Sequence, residues 1–155
     1  MIKVKKMLAG AFVGGIVLCN TLSGINAAST KSFTKNEFNG NGGSYVYLKN
    51  KQGGTALSAT KTTSLNPAIL ITGIWDTNGN NKMDDWNYVR VRPISSSAKN
   101  VSSNADGYTK IKIDENEWDT IETTKNARAQ GMVLKAKVQG NSSKGGKISG
   151  NIQFN

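Results

Sequence analysis

Oxygen-bearing side chains recur at alternate positions in the segment 76–86. The first, third, fifth and ninth positions hold Asp76, Asn78, Asn80 and Asp84. Short loops with oxygen ligands in this pattern wrap around Ca²⁺, and a main-chain carbonyl at the seventh position, here that of Lys82, completes the ligand set. The spacing therefore predicts a weak calcium site, with a dissociation constant of roughly 10⁻⁴–10⁻³ M, as in extracellular modules.

The same segment also fits a plain turn. Asn81 stands where calcium loops of this kind have Gly, and Asn87 stands where they have a bidentate Glu. Asn78 and Gly79 are typical of a tight hairpin turn, here between a strand that ends at Trp75 and the next strand along the chain. A hairpin turn and a calcium loop are geometrically compatible, so both interpretations stay open.

Residues 76–86 resemble the Asp-rich calcium loops of secreted bacterial proteins. They are similar to dockerin and thrombospondin type 3 repeats, which often run into Asp-Asp-Trp, as Asp84, Asp85 and Trp86 do here. The resemblance covers 11 residues and occurs once in the chain. It implies a calcium-stabilised extracellular binding module.

Most catalytic chemistry is excluded by composition. The chain has no His, and its single Cys, Cys19, lies in an N-terminal segment that we predict to be removed. Ser-His-Asp and Cys-His catalysis and Cys/His zinc sites are therefore absent. A glycoside hydrolase needs two carboxylates about 5–10 Å apart, and Glu117 with Glu122 is a pair that could be nominated. Nothing in the sequence marks these acids as buried, so we expect a protein without enzymatic activity.

Basic residues dominate the end of the chain. The formal charge is +10, and no acid follows Glu122. The bases in this stretch are Lys125, Arg128, Lys135, Lys137, Lys144 and Lys147. A basic face attracts anionic polymers, so we expect these residues to bind an anionic cell-wall polymer or a membrane surface. Nucleic acid is not expected, because envelope polymers are the more available partner of an exported protein. A merely solvated surface is the alternative.

The N-terminus has the pattern of a secretory signal peptide. Three lysines within the first six residues precede an uncharged apolar run, 7–18, and small residues end at Ala28. The run is shorter than the roughly 20 residues of a transmembrane helix. We therefore predict export, with cleavage after Ala27 or Ala28 and no membrane-spanning segment in the mature chain. An uncleaved anchor is the alternative.

Runs of period two follow along the chain and predict β-strands. The predicted strands are 44–49, 55–63, 68–75, 86–92, 108–113, 132–138 and 147–154. The last two should form a hairpin around the turn-forming residues 139–146. We predict a signal peptide over residues 1–28, a flexible polar lead over 29–43, and an all-β domain over 44–155. The domain should be a single antiparallel β-sandwich of about seven strands.

Two further expectations concern the segment 116–131 and the aromatic residues. In 116–131 the acids come early, the bases come late and Gly131 ends the run, which predicts a short helix or helical turn. The three Trp and four Tyr should supply much of the core in a chain poor in Leu and Ile. A stacking platform for sugars or single strands is the alternative role for these rings.

Residues 127–136, followed by Ile148, Ser149 and Gly150, are similar to the paired final strands of small exported β-rich proteins of Gram-positive bacteria, whose domain is uncharacterised. The resemblance covers under a quarter of the chain and implies no activity. Some small cationic exported proteins of such bacteria are bacteriocins. Charge and size therefore allow a bacteriocin-like secreted antagonist as an alternative, although the sequence has neither a double-glycine leader nor a Cys framework.

Overall fold

The computed structural model describes residues 30–51, 53–80, 88–113 and 117–155. Within these ranges the chain forms nine strands and no helix, so no helix there could cross a bilayer. The strands are β1 (Thr30–Phe38), β2 (Val46–Tyr47), β3 (Ser58–Thr60), β4 (Ala68–Trp75), β5 (Tyr88–Ser95), β6 (Thr109–Lys112), β7 (Asp119–Thr120), β8 (Val133–Gly140) and β9 (Gly146–Gln153). The predicted signal peptide, residues 1–28, lies outside the described residues.

Two antiparallel sheets pack together, which confirms the predicted β-sandwich. A four-stranded sheet has the order β1-β9-β4-β7. A five-stranded sheet has the order β2-β8-β5-β6, and β3 pairs with β8 as well. Alternate residues of the long strands point into the space between the sheets, as the period-two pattern predicts.

The core consists of aliphatic residues and Phe rather than Trp and Tyr. Ile69 and Ile71 of β4 and Val89 and Val91 of β5 belong to one buried cluster, and all four are fully buried. Trp118 is 39% exposed, and the four tyrosines are half-buried. The prediction of an aromatic core is therefore wrong for the described Trp and Tyr residues. Ile and Val side chains make up most of the core, together with Leu, Ala and Phe, and the tyrosines lie on the outside of a sheet.

The predicted flexible lead, 29–43, is also wrong over most of its length. Residues 30–38 form β1, which pairs with β9 and buries Phe33 and Phe38. These two rings are five positions apart, and strict alternation would place them on opposite faces. A bulge between Phe33 and Asn36, with Lys35 at φ 44°, brings both rings to the core.

Neither predicted hairpin forms. β8 and β9 belong to different sheets, and so do β4 and β5. The short connection from β8 to β9 crosses from one layer to the other, and glycines allow it to pass close to neighbouring backbone. A Cβ on Gly40 would lie 2.2 Å from the carbonyl oxygen of Ser143, and one on Gly146 would lie 2.5 Å from that of Trp75.

The described part of the segment 116–131 contains no helix. Asp119 and Thr120 form β7, which pairs with β4. Beyond β7, a single helical turn forms, in which the N–H of Arg128 donates to the carbonyl of Thr124 over 3.1 Å. Upstream of this turn, the N–H of Ile121 donates to the carbonyl of Pro67, so the chain next to β7 makes a tertiary bond rather than a helical one.

Candidate anion-binding sheet face

The described half of the candidate calcium loop is a turn closed by its own aspartate. Asp76 Oδ1 accepts the N–H groups of Gly79 and Asn80, at 2.7 and 3.0 Å. Lys35 Nζ donates to the carbonyl of Gly79 over 2.7 Å, so an ammonium group lies beside the loop. Asn78 and Asn80 are exposed.

The remaining predicted calcium ligands, Lys82 and Asp84, lie outside the described residues. In the ranges that the structure does describe, no three Asp, Glu, His or Cys residues cluster in a way that could hold a metal ion. The calcium site stays a prediction, and the lysine ammonium beside Gly79 opposes it electrostatically.

The two acids considered for hydrolysis lie near β7. Glu117 is exposed. The carboxylate of Glu122 accepts a hydrogen bond of 3.2 Å from the side-chain amide of Asn66.

The six bases of the C-terminal stretch do not share one face. Lys135 and Lys137 lie on β8 in the five-stranded sheet, whereas Lys147 lies on β9 in the four-stranded sheet, directly opposite Glu37. Lys144 is exposed in the turn between these strands. The other two, Lys125 and Arg128, are in the turns that precede β8.

A different basic surface forms on the outside of the five-stranded sheet. We call it the basic sheet face. It consists of Arg90, Arg92, Lys110, Lys112, Lys135 and Lys137, together with Tyr45, Tyr47, Tyr88 and Tyr108. Alternation explains the placement: each strand cation has buried neighbours, such as Val91 between Arg90 and Arg92, and Ala136 between Lys135 and Lys137.

Strand register places like charges side by side on this face. Lys137 is directly opposite Arg92, and Arg90 is directly opposite Lys110. Like charges directly opposite each other in an antiparallel pair are destabilising. The strands β2, β3, β5, β6 and β8 contain no Asp or Glu to offset this repulsion. Among the residues that the structure describes, acids approach this face at its rim, where Asp106 lies close to Tyr108 and the main-chain N–H of Lys112 donates to Asp119.

Tyrosine rings lie under most of the cations. Five cation–ring distances are 3.9 Å for Arg92 over Tyr45, 4.3 Å for Lys137 and 5.9 Å for Lys135 over Tyr47, 5.1 Å for Arg90 over Tyr108, and 5.4 Å for Lys110 over Tyr88. Cation–π attraction holds a charge in place without neutralising it. The rings therefore fix the positions of these cations and leave their charge available to a ligand.

The hydrogen bonds of the two arginines go to neutral groups. Arg92 Nε donates to the carbonyl of Gly107 over 3.1 Å, and Arg90 Nη1 donates to Asn41 Oδ1 over 2.6 Å. The Nε of Arg90 is buried and has no hydrogen-bond partner among the described residues. These contacts orient both guanidinium groups, and none of the acceptors is a carboxylate that would offset their charge.

A cleft of about 340 Å³ opens beside Arg92 on this face. Its polar lining comes from Arg92, Lys137, Tyr45, Ser44 and Asn100. Burial raises the pKa of Tyr45, although the nearby Arg92 and Arg90 act to lower it. Tyr45 is therefore a neutral hydroxyl at physiological pH, and the cleft offers two cations and several hydrogen-bonding groups to an anion.

The outer face of the four-stranded sheet differs in kind. Ser32 Oγ donates to Asn151 Oδ1 over 2.7 Å, and Gln153 Nε2 donates to Thr30 Oγ1 over 2.9 Å. In such neutral pairs each side chain has a hydrogen-bond partner, and the pair adds no net charge to the surface. Lys35 of β1 and Lys147 of β9 also lie on this sheet, and both donate to main-chain carbonyls of the turn after β4, those of Gly79 and Asn78.

No protein family matches the chain, and no match was found among the curated proteins or the solved structures.

Four of the six cations of the basic sheet face were missed from sequence: Arg90, Arg92, Lys110 and Lys112. The alternation of Tyr88, Arg90 and Arg92 was a signal that these three share a face. What the sequence pattern lacks is the register that sets β5 between β6 and β8.

Proposed function

We propose that this protein is a non-enzymatic, exported binding module that associates with an anionic polymer of the cell envelope through the basic sheet face. The observation that supports this most is the set of six cations on one outer sheet face whose strands carry no acid. An anionic chain laid on this face would relieve the repulsion between Lys137 and Arg92 and between Arg90 and Lys110.

The tyrosines make such binding less costly in entropy. A free Lys or Arg side chain loses up to about 2 kcal/mol of conformational freedom when it is ordered. On this face much of that freedom is already lost, since Arg92 lies on Tyr45 and is bonded to Gly107. Preorganised cations bind an anion more tightly than mobile ones because less ordering remains to be done.

Two other kinds of partner fit the face less well. Insertion into a bilayer needs exposed apolar side chains, and the large exposed ones in the described ranges, Leu65 and Trp118, lie outside this face. Single-stranded nucleic acid needs open rings on which bases stack, whereas cations already lie over these tyrosines. A polymer that carries charge without bases is the better fit.

The test is binding to isolated anionic cell walls at low and at high salt. We expect the protein to bind at low salt and to be released as ionic strength rises, since screening shortens the Debye length to about 8 Å at physiological salt. The double variant Arg90→Gln/Arg92→Gln should bind weakly. The control Lys125→Gln/Lys144→Gln removes the same charge away from the face and should bind like the wild type.

A protein that stays in the supernatant at low salt would refute the proposal. Equal losses in the two double variants would show that net charge alone, rather than the basic sheet face, drives the association.

A further inference from the structure

The six cations of the basic sheet face follow one diagonal track. Within each strand the two cations are two residues apart, and between strands Lys137 is opposite Arg92 and Arg90 is opposite Lys110. The order along the track is Lys135, Lys137, Arg92, Arg90, Lys110 and Lys112. Steps along a strand cover about 6.7 Å, and steps across strands cover about 4.8 Å.

The track has a definite length and direction. Three steps run along strands and two run across, which gives displacements of about 20 Å and about 10 Å at right angles. The straight diagonal from the Lys135 end to the Lys112 end is thus about 22 Å. It crosses β8, β5 and β6 in turn, with the two arginines at its centre.

Resting on the proposed function, we infer that the ligand is a linear phosphodiester polymer with a short polyol linker, bound extended along this diagonal. A glycerol phosphate repeat has six backbone bonds, the same number as two peptide residues, and therefore spans at most about 7 Å. This matches the spacing of two cations on one strand. Four consecutive phosphates cover the whole track.

The centre of the track favours phosphate over carboxylate. Arginine presents a planar pair of donors that matches two oxygens of either a phosphate or a carboxylate, so the preference comes from the groups around Arg92. The cleft beside Arg92 adds Lys137 and the polar groups of Ser44 and Asn100 from other directions. A tetrahedral phosphate directs its oxygens toward several of these groups, whereas a planar carboxylate reaches fewer.

The experiment is calorimetric titration of the purified protein with glycerol phosphate oligomers of two to eight repeats. We expect affinity to rise with each repeat up to about four and then to level off. An oligogalacturonate of equal charge should bind at least tenfold more weakly. Oligothymidylate has the same six-bond spacing between phosphates, so it should bind better than the oligogalacturonate but more weakly than the glycerol phosphate oligomer, because cations already cover the rings on which its bases would stack. Equal affinity for oligothymidylate and the glycerol phosphate oligomer would overturn the polyol linker.

Matched variants test the path. Lys110→Gln/Lys135→Gln removes one cation from the first strand of the track and one from the last. It should lower affinity for the octamer more than tenfold and reduce the slope of log K against log salt by about 1.5. The control Lys125→Gln/Lys144→Gln removes equal charge from off the track and should change affinity less than twofold.

The outcomes separate the two proposals. Binding of no polyanion at all would overturn the proposed function. Binding without a plateau near four repeats, equal binding of oligogalacturonate, or equal losses in the two double variants would leave the function standing and overturn the track.

Discussion

Replacing Arg92 by Lys keeps the charge of the basic sheet face and removes its best-held donor. Arg92 lies over the ring of Tyr45 at 3.9 Å and donates through Nε to the carbonyl of Gly107. A lysine at this position has neither the planar group that stacks nor the Nε that donates. It also offers phosphate a point charge in place of two parallel donors.

The expected loss follows from these contacts. Lysine makes one hydrogen bond to the phosphate where arginine makes two, and losing one hydrogen bond to a charged group costs about 1.5 kcal/mol. Ordering a side chain that is no longer held costs about 0.5–1.5 kcal/mol more. Together these amount to about 2–3 kcal/mol, which raises the dissociation constant for a polyanion between roughly 30- and 150-fold. Because the charge is unchanged, the salt dependence of binding should stay as in the wild type.

The assay is calorimetric titration of wild type and Arg92→Lys with a glycerol phosphate octamer at several salt concentrations. Tyr45→Ala, made alone and together with Arg92→Lys, completes a double-mutant cycle. Since the ring acts through Arg92, loss of Tyr45 should matter much less when Lys is present. Equal affinity of Arg92→Lys and wild type, a changed salt slope, or additive effects in the cycle would each refute this reasoning.

Three further predictions concern stability. Lys61 is 1% exposed, and its Nζ donates to the main-chain oxygens of Leu65, Phe154 and Asn155. Because Lys61→Met leaves these oxygens without their donor, it should lower the free energy of unfolding, measured by urea titration, by about 2–4 kcal/mol. An unchanged urea midpoint would contradict this. Burial raises the pKa of Tyr45, so the folded state holds this proton more tightly than the unfolded state, and the free energy of unfolding should fall as pH rises above 10.0. This fall should be less steep in Tyr45→Phe than in the wild type, and equal slopes between pH 9 and pH 11 would contradict the prediction. Asp76 already caps its own turn and an ammonium group binds Gly79, so millimolar Ca²⁺ should leave the melting temperature as it is in EDTA; a calcium shift that Asp76→Ala abolishes would instead establish the calcium loop.

Local pattern predicted those elements whose signal is local. The apolar run 68–75 coincides with β4, and the alternation in 86–92 places Tyr88, Arg90 and Arg92 on one face of β5. The sandwich class follows from many short strands separated by turn residues. None of this requires knowing which strand lies beside which.

Pairing across the chain explains the errors. A turn rich in Gly and Ser suits a hairpin and a crossing between sheets equally well. The sequence of 139–146 therefore does not reveal that β8 and β9 belong to different sheets. The bulge in β1 hides its two buried rings from any search for strict alternation. The track of cations depends on the registers of β8 with β5 and of β5 with β6, which join residues far apart in sequence.

The placement of charge argues against a surface that serves solubility alone. On the four-stranded sheet Lys147 lies opposite Glu37, and hydroxyl and amide groups form hydrogen bonds across the strands. These charged and polar side chains thus have partners within the sheet. On the five-stranded sheet cations lie opposite cations, and rings rather than acids hold them in place. Solubility gains nothing from this arrangement, because charges spread over both faces would serve it without the repulsion. The basic sheet face holds mutually repelling cations in fixed positions, and it is therefore suited to a partner of negative charge.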